Sequence, residues 1–246
     1  TIDRVRQAQA AAESAPSETT ARLERDTYLS AINGMVFSDD PDQGYVRGRD
    51  FLHAGLKLGF QVPPGFVLRN GTSQVTAEDR NGAVITFDAA KAQRSRTLAE
   101  YVQNEWTQGV NLSDVQAINV NGLSAATGRT RLNTQQGVAD LRVVAYQWEG
   151  TQLFRLMFLS PARNASTYGD GVRSTINSFR QLTDAEAAEL KPLRLITVQA
   201  AGTDTISTLA QTMPYGALND DWFRMLNDLS PGQPVPVGRS IKVVAS

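Results

Sequence analysis

Apolar and polar positions change their rhythm several times along this chain. Over residues 1–34 the spacing is helical. In TIDRVRQAQAAAES, Ile2, Val5 and Ala8 or Gln9 recur at helical intervals, and Pro16 interrupts them. The pattern restarts in SETTARLERDTYLSAING, with Leu23, Thr27 or Tyr28, and Ala31 or Ile32 on one side and Gly34 placed as a C-cap. Two helices with such narrow apolar stripes cannot enclose a core, so they are expected to pack on another part of the chain. The polar, turn-rich VFSDDPDQGYVRGRD that follows reads as a connector.

From about residue 51 the period shortens to that of strands. In LKLGFQVPPGF, Leu56, Leu58, Phe60 and Val62 alternate until Pro63-Pro64-Gly65 stops them. Asn70-Gly71 and Asn81-Gly82 are hairpin signals, and Asn121-Gly122 is a third turn. Thr97-Leu98-Ala99-Glu100 has the form of a capping box and opens a helix with Leu98, Val102 and Trp106 on one face. VADLRVVAYQWEGTQLFRLMFLSPA predicts two long strands joined at Glu149-Gly150, and Val172, Ile176 and Phe179 mark a closing helix. A second capping box, Thr183-Asp184-Ala185-Glu186, starts a short linker helix, after which the chain reads strand, two helices, strand. The expected fold class is α+β: an N-terminal helical segment, an α/β sandwich with an antiparallel sheet, and a small βααβ C-terminal domain. The expected boundaries are 1–44, 45–183 and 184–246.

Composition narrows the chemistry. A formal net charge of −1 gives no general attraction to phosphate backbones, so no nucleic acid is expected as a partner. No run approaches the roughly 18 consecutive apolar residues of a membrane span. Beginning at Thr1 without a methionine, the sequence reads as processed or trimmed from something longer. The absence of cysteine excludes disulfides and thiolate chemistry, and the chain holds one histidine. That residue, His53, has neither a second histidine nor a cysteine to share a metal with, so it reads as a hydrogen-bonded side chain of the connector. Asp39, Asp40 and Asp42 lack the glycine and distal glutamate of a calcium loop and read as a solvated turn. Arg47 and Arg49, on one face of an extended segment, are candidates for pairing with those aspartates or for a contact with a neighbouring domain. Trp106 and Trp222 are expected in cores, whereas Trp148 beside the Glu149-Gly150 turn is a candidate for contact with a partner. No phosphate loop or nucleophile elbow is present.

Three resemblances attach to particular residues. The last segment, with Val198 on its first strand, Thr205-Ile206-Ser207-Thr208-Leu209-Ala210, Leu226-Asn227, and Pro236-Val237-Gly238-Arg239-Ser240-Ile241, resembles a LysM domain. Such domains bind N-acetylglucosamine-containing glycans such as peptidoglycan. The resemblance implies glycan contacts at Gly202, Thr203, Asp204, Thr205 and Asn227, although the usual Gly-Asp-Thr run is one residue longer here. The middle of the chain, from GFQVPPGF to STINSFRQLT, resembles the PsbP-like sandwich, a fold of docking and assembly proteins. Together with DRVRQA and GYVRGRDFLH, the whole looks like the C-terminal accessory region of bacterial envelope zinc metallopeptidases of the HtpX/BepA type. Those enzymes hold zinc on His-Glu-x-x-His, and no such motif occurs in this sequence. The chain is therefore expected to be non-catalytic, without cofactor or metal of its own, zinc being implied only for a catalytic domain elsewhere in the parent protease. Its expected role is targeting in the periplasm or cell envelope. Its expected partners are the parent's catalytic domain and either peptidoglycan or an envelope protein complex. The alternative is an independent periplasmic binding or assembly module unrelated to proteolysis.

Overall fold

A computed structural model of the chain describes residues 18–246. The helical pattern read over TIDRVRQAQAAAES, and the side chain of Leu23, lie outside the described residues. Backbone contacts divide the chain into two compact units, Asp39–Pro192 and Leu193–Ser246, the latter joined by the segment ending at Ser38. The N-terminal helix thus groups with the C-terminal strands rather than standing as an extension, and the linker helix after Thr183 groups with the central unit.

The central unit holds two antiparallel sheets. Strands β1 (Tyr45–Arg47), β2 (Asp50–His53), β3 (Leu58–Gln61) and β11 (Arg180–Gln181) form the smaller, in the order β1-β2-β3-β11. The larger contains β4 (Val67–Asn70), β5 (Val75–Glu78), β6 (Val84–Lys91), β7 (Ser113–Val120), β8 (Leu123–Thr134), β9 (Gly137–Gln147) and β10 (Gln152–Pro161), in the order β4-β5-β6-β10-β9-β8-β7. The turn chemistry read from the sequence closes these hairpins. Asn121 and Gly122 both take positive φ, 50° and 87°, as a two-residue turn matched to strand twist requires. The Asn121 amide also donates to the carbonyls of Asn177 and Phe179, fastening the hairpin to the end of the closing helix.

Alternation along the long strands sorts side chains onto two faces. On one face Val144, Tyr146, Phe154, Leu156 and Phe158 meet Phe60, Phe87 and Phe179 in the main core. The closing helix α3 (Ala165–Ser178) lays Tyr168, Val172 and Ile176 against it. On the other face Leu141, Val143, Ala145 and Leu153 pack under the helix begun by the first capping box. That helix is α-helical only over α2 (Leu98–Glu100), with both reciprocal capping bonds present, and then widens into a π-helical turn over Tyr101–Trp106. The widening buries Tyr101 and Val102, while Trp106 lies over the partly buried Arg155, whose guanidinium pairs with Asp88.

Glu105, within the π-turn, organises the preceding loop: its carboxylate accepts the amides of Gln93, Arg94 and Ser95 and the Ser95 hydroxyl. These bonds, led by that from Gln93, hold its pKa well below the usual glutamate value, at about 2. A depressed carboxylate stabilises the folded loop above its unfolded pKa and loses that contribution as pH falls toward the folded value. Glu105→Gln is therefore expected to deprotect the three amides at neutral pH. The wild-type loop should converge on the variant only as pH drops from about 4.3 toward about 2. Amide protection factors by hydrogen exchange check both statements.

In the second unit, β12 (Arg194–Gln199) and β13 (Ser240–Ala245) pair antiparallel, with α5 (Ile206–Ala210) and α6 (Asn219–Asn227) between them. This is the expected βααβ order. Helix α1 (Glu18–Ile32) completes the unit: Leu29 is buried, Ile32 packs on its core, and Arg25 donates to the Ser240 carbonyl. The stripe read from the sequence is met at Ile32 and missed one turn earlier. Thr27, Tyr28 and Ala31 are exposed, and Leu29 and Ile32 carry the packing. No helix among the described residues is long and apolar enough to cross a membrane.

Candidate functional site

A two-stranded ribbon has two open edges, and each is closed here by nearby chain. Residues 33–37 run along β12: Gly34 N–H donates to Leu195 O, Leu195 N–H to Met35 O, and Phe37 N–H to Leu193 O, at 2.7–2.9 Å. Asn33 Oδ1 accepts the Thr197 amide at 2.9 Å. Along β13 the Asn227 amide does comparable work, accepting Lys242 N–H at 2.7 Å and donating to Lys242 O and Phe223 O at 2.8 and 2.9 Å. Thr197 and Lys242 face each other in the ribbon, so the two asparagines close its opposite edges at one residue pair. The side chain of Asn227, for which the resemblance implied a glycan contact, is thus engaged in three hydrogen bonds of the fold at a partly buried position.

The two loops at the ribbon's end are fastened together. Ala200 donates to Arg239 O at 3.0 Å and accepts from Gly238 N–H at 2.8 Å. Asp204 closes its own turn by accepting the Ala201 amide at 2.8 Å, and Thr205 caps α5 in a reciprocal pair with Thr208. Of the five residues with implied glycan contacts, Gly202 and Thr203 remain exposed with no hydrogen bond among the described residues. Beside them the turn presents Val237, 63% exposed, which sequence reading had not singled out. Trp222 packs on the unit's core and stacks on Tyr215 with ring centroids 4.5 Å apart.

Of the residues proposed for contacts at the central unit, Arg47 meets one expected alternative, a pairing with the connector aspartates, while Arg49 and Trp148 are placed differently. Arg47 and Arg49 do not share an extended segment, because Gly48 turns the chain with φ 61° between β1 and β2. Arg47 pairs with Asp39 at 3.4 Å, donates to Lys191 O and lies over the Tyr45 ring. Arg49 bonds to the side chain of Gln61. Trp148 is no exposed hairpin tip. It is partly buried, with its ring edge-on to Phe154 and Phe179 at 5.1 and 5.9 Å, because the strand alternation turns it into the main core.

His53 lies on β2 rather than in the connector, and Nδ1 accepts the Leu56 amide at 3.1 Å, bracing the turn into β3. Burial pushes its pKa below the ordinary histidine value, partly offset by the Asp42 backbone and charge. Asp39 accepts the Val46 amide and Asp40 that of Asp42, so both organise the connector turn. Among the described residues no three histidine, cysteine, aspartate or glutamate side chains converge as metal ligands. The residues present do not fit a catalytic zinc, which needs about three protein ligands.

No protein-family model and no curated protein matches the chain. Among solved structures it is similar to a protein from Bacteroides thetaiotaomicron VPI-5482, with 12% identity over 63% of this chain and a TM-score of 0.43. The chain spans 55% of that protein's length. It is also similar to cyanobacterial PsbP (CyanoP) from Synechocystis sp. PCC 6803, with 13% identity over 54% of this chain and 91% of the other, TM-score 0.41. A third is LpqN, involved in cell envelope biogenesis of Mycobacterium tuberculosis, with 14% identity over 51% and 83% of the two chains and a TM-score of 0.40. The α+β class itself rests on the strand pairing described above.

Proposed function

We propose that the chain is a non-catalytic binding region that brings a cell-envelope zinc metallopeptidase to its place of work, with its βααβ unit as a LysM-like reader of N-acetylglucosamine-containing glycan. One observation carries the reading. The loop after β12 and the turn before β13 are fastened by paired backbone bonds, and together they present Gly202, Thr203 and Val237 outward. Free backbone groups suit the acetamido and hydroxyl groups of a sugar chain, and an exposed aliphatic side chain suits the apolar face of a pyranose ring. Such docking raises the local concentration of a tethered protease around its substrate without adding a contact at the scissile bond.

Gly202 tests the reading without disturbing the fold, since a Cβ there meets nothing within 4 Å. The chain is expected to sediment with insoluble peptidoglycan, and Gly202→Leu should cut retention by about ten-fold, the scale of one lost polar contact in a site. Recovery of the wild-type chain entirely in the supernatant would refute glycan docking. Equal retention of the variant would move the contact away from this loop.

A further inference from the structure

The main-core face of the long strands continues past the end of the apolar packing into a cleft of about 570 Å³ in the central unit. Its floor is built by cross-strand neighbours: Arg129 of β8, Arg142 of β9 and Phe158 of β10 lie side by side in register, with Ser160 in the adjoining row. Its wall is α3, through Tyr168 and Val172. Phe158, Ser160 and Tyr168 are buried, and Arg142 is half-buried.

The charge arrangement on this floor is unusual for a strand pair. Directly opposed like charges destabilise a sheet, yet Arg129 and Arg142 are direct partners. The neighbouring cations are answered by carboxylates. A one-residue bulge in β7 brings Asp114 to Arg129 at 2.5 Å, Arg131 pairs with Asp140 at 2.9 Å, and Arg173 on α3 lies 3.5 Å from Asp170. Arg142 alone among these has no ion-pair partner among the described residues, and its Nε donates to the Thr127 hydroxyl at 3.0 Å. Burial and then Arg129 lower its pKa, partly offset by the Asp114 carboxylate, and the guanidinium stays charged. A half-buried guanidinium opposed by a second one and bordered by a phenylalanine and a valine is complementary to one kind of molecule. That molecule carries a compact anion on an apolar body.

We propose that this cleft binds an amphiphilic carboxylate, with its head on Arg142 and Arg129 and its hydrocarbon against Phe158 and Val172. A guanidinium fork matches a carboxylate in geometry, and a bound carboxylate supplies the ion pair that Arg142 lacks. The site is separate from the glycan reading, since every residue in it belongs to the central unit.

The test titrates the full chain with octanoate, octanamide and acetate, following backbone amide shifts. Octanoate is expected to bind at least about ten-fold more tightly than either the amide, which lacks the charge, or acetate, which lacks the chain. Its largest shifts should fall on residues 129, 142 and 172. Arg142→Gln should weaken octanoate by roughly 10- to 100-fold, the range of a charge-assisted hydrogen bond. Arg142→Lys, which keeps the charge and loses the fork, should fall between. Octanamide binding as well as octanoate, or a variant Arg142→Gln that keeps the preference, overturns the assignment of the head. Acetate equal to octanoate overturns that of the body, and no shift from any of the three overturns the site.

Discussion

Phe179→Ala is expected to lower the stability of the central unit by about 3–5 kcal/mol, the range for emptying a fully buried aromatic position. Phe179 follows α3 directly and is 0% exposed. Its ring stacks on Tyr146 at 4.2 Å and lies within 6.0 Å of Phe87, Trp148 and Phe154, so four aromatic side chains from three strands and a turn lose a common neighbour. Collapse cannot readily fill the space. Tyr146 is pinned by its hydroxyl, which donates to Ile176 O at 3.1 Å, and the Asn121 amide holds the Phe179 carbonyl. Thermal unfolding should shift down by roughly 10 °C for a domain of this size. Phe179→Leu should lose distinctly less, because most of the volume is kept. A variant Phe179→Ala that melts within about 2 °C of wild type would mean that α3 is anchored elsewhere, by less than 1 kcal/mol here. The consequence reaches the proposed carboxylate site, since the same helix walls the arginine cleft.

The parts of this fold that sequence made legible are those set by local chemistry. Capping boxes at Thr97 and Thr183 form as written, because the reciprocal bonds need only four consecutive residues. Hairpins form at all three Asn-Gly steps: Gly82 and Asn121-Gly122 supply positive φ at their turns, whereas Gly71 keeps an ordinary φ and closes its turn by donating to Gln74 O. Of the alternating set, Leu58, Phe60 and Val62 are buried as predicted, whereas Leu56, in the turn before β3, is exposed. What sequence left illegible depends on which distant segment supplies the second surface. The partner of α1 is a ribbon that begins only at Arg194, and the choice of Leu29 over Thr27 or Tyr28 cannot be made before that partner is known. Trp148 was misread because proximity to a turn says nothing of which face the strand presents. For Arg142 the signal was present in principle: in LRVVAY it stands on the face that carries Val144 and Tyr146, an inward position for a charge. Only the register with β8 reveals that a second arginine is its neighbour. The glycan loop is the mixed case. A family resemblance pointed to five residues, and hydrogen bonding divides them into those that hold the fold and those that face outward.

Asn227→Ala is expected to destabilise the βααβ unit by about 2–3 kcal/mol, more than a surface asparagine would. Lys242 exposes both its N–H and its C=O on the side of β13 away from β12, and the Asn227 amide answers both, much as a third strand would. Alanine leaves those two Lys242 groups without their Asn227 partner, at a partly buried position. The amide of Lys242 should lose hydrogen-exchange protection first, while Thr197 opposite it keeps the bond to Asn33. Asn227→Asp separates the donor and acceptor roles. The carboxylate can still accept from Lys242 N–H, but it has no proton to donate and sets its charge against two carbonyls. It should be at least as damaging as alanine at pH 7. Below the usual aspartate value of about 3.9, a protonated acid regains one donor, and part of the loss should be recovered. If alanine leaves protection at Lys242 unchanged, the β13 edge is closed without Asn227, and that side chain becomes available again for a ligand.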